Sequence, residues 1–165
     1  GQAVIESAVG RGTSIALYFP RETAGDAEAH LRDSTNVAPS GAGERILVVE
    51  DDSDVRDMAV GMFTSLNYRP LEASSADEAL EILAEQAGIE LLFTDVMLGN
   101  GDNGPELARK ARQRFPGLRV LFTSGYAKSA FDGGAPIEAG ALINKPYERS
   151  ELARAVRTAL ETARA

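Results

Sequence analysis

Four short clusters in this chain carry groups able to do chemistry together: Glu50-Asp51-Asp52, Asp95, Thr123-Ser124 and Asn144-Lys145-Pro146. Each closes or follows a short apolar run (residues 46–49, 91–94, 120–123 and 141–143) of the kind that makes a buried strand. Buried strands ending in polar residues deliver them to one edge of a sheet, and in an open α/β sheet that carboxyl edge is where ligands bind. Close carboxylates repel by roughly 4 kcal/mol per pair at about 4 Å and an effective dielectric near 20, so acids gathered there need a proton or a cation. Two or three carboxylates with open positions suit Mg²⁺, which keeps waters and accepts phosphate oxygens. Asp95 would then be a nucleophile, Lys145 a second positive charge facing it, and Ser124 a hydrogen-bond donor. These are the parts required to take up a phosphoryl group as an acyl phosphate and to stabilise the charge on its equatorial oxygens.

The surrounding pattern supplies elements to hold those groups. After strand 46–49, the residues Val55, Met58, Ala59, Met62, Phe63 and Leu66 are spaced for one buried helical face. A weaker strand follows at 70–73, and Ser75-Ala76-Asp77-Glu78 reads as a capping box opening a helix with Ala76, Ala79, Leu80 and Leu83 inward. The strand before Asp95 runs into a glycine-rich loop ending at Gly104. Pro105 then suits a first helical turn, and Leu107, Ala108, Ala111 and Phe115 face one way before Pro116-Gly117 stops the helix. Residues 126–140 contain Asp132-Gly133-Gly134-Ala135-Pro136, which allows at most one or two helical turns. Leu152, Ala155, Val156, Ala159, Leu160 and Ala163 mark a final amphipathic helix. Five such units predict a doubly wound, five-stranded parallel α/β sheet with helices on both faces. In the flavodoxin-like order 2-1-3-4-5, Glu50, Asp51 and Asp95 share the crevice between the first and third strands.

Composition narrows the function. A formal net charge of -8 disfavours a nucleic-acid or anionic-membrane surface, and the absence of cysteine removes thiol chemistry, thiolate metal sites and disulfides. No signal peptide and no apolar run of membrane-spanning length is evident, so the expected setting is cytoplasmic, without direct membrane contact. Asp52, Asp54 and Asp57 read as charge on the first turn and solvated face of a helix, and Asp102 as a loop residue. Taken singly, Asp95, the Glu50 cluster and Lys145 also have ordinary surface readings; it is their ordered combination that points to chemistry.

The first 44 residues read differently. Residues 3–6 and 14–19 pattern as a partial β-hairpin turned at Gly10-Arg11-Gly12-Thr13, the second strand alternating Ile15, Leu17 and Phe19 against Ala16 and Tyr18. A hairpin this small needs another surface to cover its apolar face. Residues 22–44, rich in Ala, Gly, Ser, Thr and charge, read as a linker with at most a short helix near 26–32. The single histidine, His30, lies there followed by Leu31, which is not the acid-flanked setting of a phosphorylatable histidine.

Two resemblances organise these observations. Glu6 to Thr13, continuing through Leu17-Tyr18-Phe19-Pro20, resembles the closing hairpin of the ATP-binding domain of sensor histidine kinases, which assigns residues 1–21 to the end of such a domain. The asparagine and aspartate-glycine boxes that would hold Mg-ATP are absent from this chain. From Glu44 onward, Val48-Val49-Glu50-Asp51, Thr94-Asp95-Val96-Met97-Leu98, Ser124-Gly125 and Lys145-Pro146 resemble the motif set of two-component receiver domains, here over residues 45–165. The resemblance implies Asp95 as phosphoacceptor and Glu50, Asp51 and Asp95 with the Met97 carbonyl as the Mg²⁺ site. It further implies Ser124 as switch hydroxyl, Lys145 as the phosphoryl contact and a cis bond at Lys145-Pro146. Leu142 stands where many receivers place an aromatic switch. That departure, the interrupted segment 126–140 and Gly99 with its longer loop are more similar to receivers attached to hybrid kinases than to transcription regulators, so no DNA-binding domain is expected to follow.

The expected function is therefore acceptance of a phosphoryl group by Asp95 from a phosphohistidine of a kinase dimerisation domain or a histidine phosphotransfer protein, at the C-terminal end of a hybrid sensor histidine kinase. The chain itself would catalyse only its own phosphorylation and dephosphorylation. Two other readings compete: a receiver-fold docking module that regulates its kinase without phosphate turnover, and an aspartyl phosphohydrolase. The second would place an acid two positions after the nucleophile, where this chain has Met97.

Overall fold

A computed structural model describes residues 2–8, 10–19, 39–99, 103–125 and 142–161. The expected helix near 26–32, His30, Asp102, the segment 126–140, Ala141 and Ala163 lie outside the described residues. The chain forms two compact units, Gly1–Val37 and Ala38–Ala165.

In the first unit, β1 (Gln2–Ala8) pairs antiparallel with β2 (Gly12–Tyr18), both strands running longer than the sequence suggests. Gly10 and Gly12 hold φ of 77° and 84° in the turn, a region open to glycine at no steric cost. Ala3 pairs with Leu17 and Ile5 with Ile15, so these four side chains share one face. Ile5, Ile15 and Leu17 on that face are all exposed.

The second unit holds a five-stranded parallel sheet of β3 (Arg45–Val49), β4 (Arg69–Ala73), β5 (Ile89–Asp95), β6 (Arg119–Ser124) and β7 (Leu142–Asn144), in the spatial order β4-β3-β5-β6-β7. Counted within the sheet, this is the expected order 2-1-3-4-5. Among the described residues four helices cover it: α1 (Ser53–Ser65), α2 (Ala76–Glu85), α3 (Gly104–Arg114) and α4 (Arg149–Glu161). Alternation along the strands separates two cores. Ile46, Val48, Leu91, Phe93, Leu121 and Ile143 pack with α1 and α4, whereas Leu47, Val49, Leu92, Val120 and Phe122 pack with α2 and α3.

Three of the helix starts have a capping residue. Asp52 caps α1, its carboxylate accepting from the backbone N–H groups of Asp54 and Val55 at 2.9 and 3.1 Å. It therefore lies just outside the first turn rather than within it. Ser75 caps α2 by accepting from Glu78 N, but the Glu78 carboxylate reaches back to the backbone N–H and hydroxyl of Ser74 instead of to Ser75. Asn103 caps α3, with Pro105 in the first turn as expected.

Two expectations are corrected. Met58 was placed on the buried face of α1 but is 49% exposed. Ala59, Phe63 and Leu66 define the buried stripe, and Met58 lies one residue, about 100°, round from Ala59. The last strand runs to Asn144 rather than ending at 143, so Lys145 follows it immediately.

The end of the expected linker is fastened to this unit. Gly41 N donates to Leu66 O at 2.8 Å, Gly43 N to Asn67 O at 3.1 Å, and Asn67 Nδ2 to Gly41 O at 2.7 Å. Among the described residues no helix is long and apolar enough to cross a membrane.

Candidate functional site at the carboxyl edge of the sheet

Strands β3, β5, β6 and β7 all end at one edge, and register decides what they present there. Thr94 pairs with Val49, Asp95 with Thr123, and Ser124 with Asn144, so the polar clusters stand side by side. Glu50 continues the side of β3 that carries Ile46 and Val48, Asp95 the side of β5 that carries Leu91 and Phe93, and Lys145 the side of β7 that carries Ile143. All three therefore project on the α1/α4 side.

Lys145 is the hinge of the arrangement. Its Nζ donates to Glu50 Oε2 and to Asp95 Oδ2, both at 2.6 Å. The three side chains are 20%, 9% and 14% exposed respectively, so Asp95 remains reachable from solvent while Glu50 is nearly enclosed. Burial pushes the Lys145 ammonium down, but its bonds to Asp95 and Glu50 outweigh that and hold it above the ordinary lysine value. Burial raises Glu50 above the usual carboxylate value; Lys145 opposes the shift, and the charges of Asp95 and Asp51 add to it. The Lys145–Pro146 peptide is cis.

The second oxygen of Asp95, Oδ1, accepts from the backbone N–H of Met97 at 3.1 Å, which orients the carboxylate. The loop carrying Met97 is drawn in tightly: Val96 N donates to Thr123 O at 2.9 Å, Gly104 N to Val96 O at 3.0 Å, and Met97 bridges Asn103. Gly104 is required at this closure, because a Cβ there would lie 2.2 Å from the Asp95 carbonyl oxygen. Asp51 is exposed, and its carboxylate faces the same loop, with Oδ2 2.7 Å from where a Cβ on Gly99 would stand. Ser124 is buried at the end of β6, its carbonyl accepting from Lys145 N at 2.7 Å.

The structure thus brings Glu50, Asp95 and Lys145 into direct contact, with Met97, Ser124 and Asp51 around them. Among the described residues no three acidic, histidine or cysteine side chains close around one point. Mg²⁺ does not demand such a cage, since it is commonly held by one or two carboxylates and completes its shell with water and phosphate oxygens. Oxygen-only donors from Asp51, Asp95 and the Met97 carbonyl, with Glu50 behind them, fit that habit.

Comparison with known proteins is consistent with this geometry. A profile of the response regulator receiver domain matches residues 46–157. The chain belongs to the response regulator receiver family. Sensor kinase CckA of Brucella abortus is 34% identical over 167 residues, covering 94% of this chain and therefore at least part of the hairpin. This chain spans 17% of that kinase's length. The receiver protein CpdR of the same organism is 34% identical over 111 residues, 66% of this chain and 90% of CpdR. A crystal structure of the receiver domain from hybrid histidine kinase CckA superposes with a TM-score of 0.59 at 38% identity, covering 71% of this chain and 99% of that one. The receiver is thus similar to that of the hybrid kinase CckA, and the N-terminal hairpin is consistent with a preceding kinase part.

Two residues at this edge escaped the sequence reading. Arg56, on α1, donates from Nη1 to the Glu50 carbonyl at 2.7 Å. Tyr147, two residues after Lys145, is buried with its ring edge-on to Phe93 at 6.1 Å, and burial pushes its hydroxyl up to about 12. Its hydroxyl finds no partner among the described residues. An Arg on a helix and a Tyr in a loop have no spacing that marks them; only the fold brings them here.

Proposed function

We propose that this receiver accepts a phosphoryl group on Asp95 from a phosphohistidine, in a cytoplasmic phosphorelay at the C-terminal end of a hybrid sensor histidine kinase. The observation that carries the reading is the pair of 2.6 Å contacts from Lys145 Nζ to Asp95 and Glu50, which place a fixed positive charge at an otherwise solvent-reachable acid. In the transfer, an Asp95 carboxylate oxygen forms a bond to phosphorus as the phosphorus–nitrogen bond of the donor breaks. The imidazole leaves with the electron pair of that bond. Lys145 would hold a phosphoryl oxygen, and the Ser124 hydroxyl would donate to another once the group is in place. Mg²⁺, held by Glu50, Asp51, Asp95 and the Met97 carbonyl, would supply charge neutralisation for the phosphoryl oxygens. The Met97 N–H keeps Asp95 Oδ1 oriented meanwhile.

Intact mass after incubation with acetyl phosphate, with and without Mg²⁺, tests the reading. The expected result is a Mg²⁺-dependent gain of one phosphoryl group that Asp95→Asn abolishes. No gain from acetyl phosphate, nor from a phosphohistidine-bearing protein, would favour a docking module that works without phosphate turnover.

A further inference from the structure

The acids at the carboxyl edge need their backbone held, and the structure shows how. Glu50 N donates to Ala73 O at 3.2 Å, which pins the residue to β4 on one side. On the other, the Glu50 carbonyl accepts from Arg56 Nη1 at 2.7 Å. That carbonyl belongs to the peptide unit joining Glu50 to Asp51, so one hydrogen bond constrains the two neighbouring acids together. Arg56 is itself held in place: its side chain is 17% exposed, its Nε lies 3.8 Å from Glu72 Oε2 at the end of β4, and its backbone N–H donates to Asp52 O at 2.9 Å within α1. The guanidinium thus ties the β3–α1 loop back to α1 through one hydrogen bond, with the half-exposed Glu72 carboxylate of β4 near enough only for a weak ion pair.

We infer that Arg56 is a positioning residue for the cation and phosphoryl site, acting through the Glu50–Asp51 peptide unit without touching either ligand. The inference rests on the reading of this edge as a Mg²⁺-assisted phosphoacceptor. It makes a prediction opposite to simple electrostatics. A cation near an acidic site repels Mg²⁺, so deleting its charge alone would tighten metal binding. Deleting its hold on the loop frees the acids and weakens binding, and loss of a group that orients metal ligands typically costs about 10- to 100-fold in affinity or activity.

The experiment is calorimetric titration of the chain with Mg²⁺ alone, with no phosphoryl donor, for the unaltered protein, Arg56→Met and Glu72→Gln. Arg56→Met keeps the bulk but removes both charge and donor, and is expected to raise the Mg²⁺ Kd about 10-fold or more. Glu72→Gln leaves the bond to the Glu50 carbonyl in place and is expected to change the Kd less than about 2-fold. An unchanged or lowered Kd for Arg56→Met overturns the inference. If thermal melting shows that Arg56→Met does not fold, Arg56→Lys carries the test: it keeps the charge and presents a single point donor. A Kd raised about 3-fold or more supports the clamp, and an unchanged Kd overturns it. Failure of the unaltered chain to bind Mg²⁺ removes the underlying reading and the inference with it, whereas normal binding that Arg56→Met leaves intact removes the inference alone.

Discussion

Replacing Lys145 by Met removes the ammonium and keeps most of the stem, leaving Glu50 and Asp95 to face each other. Both accepting oxygens lie 2.6 Å from Nζ and so within about 5 Å of each other, where two unit charges repel by about 3 kcal/mol at an effective dielectric near 20. Removing one partner of a buried ion pair costs about 3–5 kcal/mol, and residual solvent access at this site favours the lower end. For a domain of this size a loss of about 3 kcal/mol lowers Tm by roughly 10 °C. The assay is thermal unfolding of the chain and of Lys145→Met near pH 7 without metal, then with Mg²⁺, then at lower pH. Mg²⁺ is expected to recover part of the loss by supplying the missing charge. Acid is expected to recover part of it by protonating Glu50, which already sits above the usual carboxylate value. Equal Tm values near pH 7 without metal, or a loss that neither acid nor Mg²⁺ relieves, would refute the argument that this ammonium is what holds the two acids together.

Two further outcomes follow from the geometry. Gly104→Ala drives a Cβ to 2.2 Å from the Asp95 carbonyl oxygen, so the backbone must shift; the expected cost is about 1–3 kcal/mol by chemical denaturation, with slower phosphorylation by acetyl phosphate, and a variant as stable and as fast as the unaltered chain would contradict the contact. Glu50, raised above 4.5 by burial, contributes stability that is fully present below 4.5 and is lost as pH rises through its folded value. Glu50→Gln lacks that titration, so the Tm of the unaltered chain minus that of Glu50→Gln is expected to fall as pH rises from about 4 to about 7; a difference that rises instead would reverse the assigned shift.

Much of the scaffold was legible because burial leaves a periodic trace. Runs such as 46–49 and 91–93 are apolar throughout because both faces of a parallel sheet are covered; alternation of strands and helices indicated a parallel sheet, whereas the strand order came from likeness to flavodoxin-like folds. The motif residues Glu50, Asp95, Ser124 and Lys145 were legible for a related reason: each closes or follows a strand, so its place at the edge is set by chain direction. Legibility failed where periodicity is degenerate. Met58 fits an apolar stripe as well as Ala59 does, and only the packing of α1 against the sheet selects Ala59, Phe63 and Leu66. The capping box at Ser75 was visible, yet Glu78 turned to Ser74, because a carboxylate takes whichever nearby N–H and hydroxyl the local backbone offers.

Sequence alone thus determined which residues end the strands, the sheet they build and the kind of chemistry their side chains allow. Tertiary structure decided the rest: that Lys145 spans Glu50 and Asp95 while Asp51 faces the loop at Gly99, that Gly104 must lack a side chain, and that Arg56 grips the Glu50 carbonyl. The physical reason is the distance along the chain between partners. Contacts between Lys145 and residues 50 and 95 positions away depend on register and rotamer, which are settled by packing of the whole sheet and leave no local pattern; the Arg56 contact spans only six residues but depends on a rotamer that no spacing reveals.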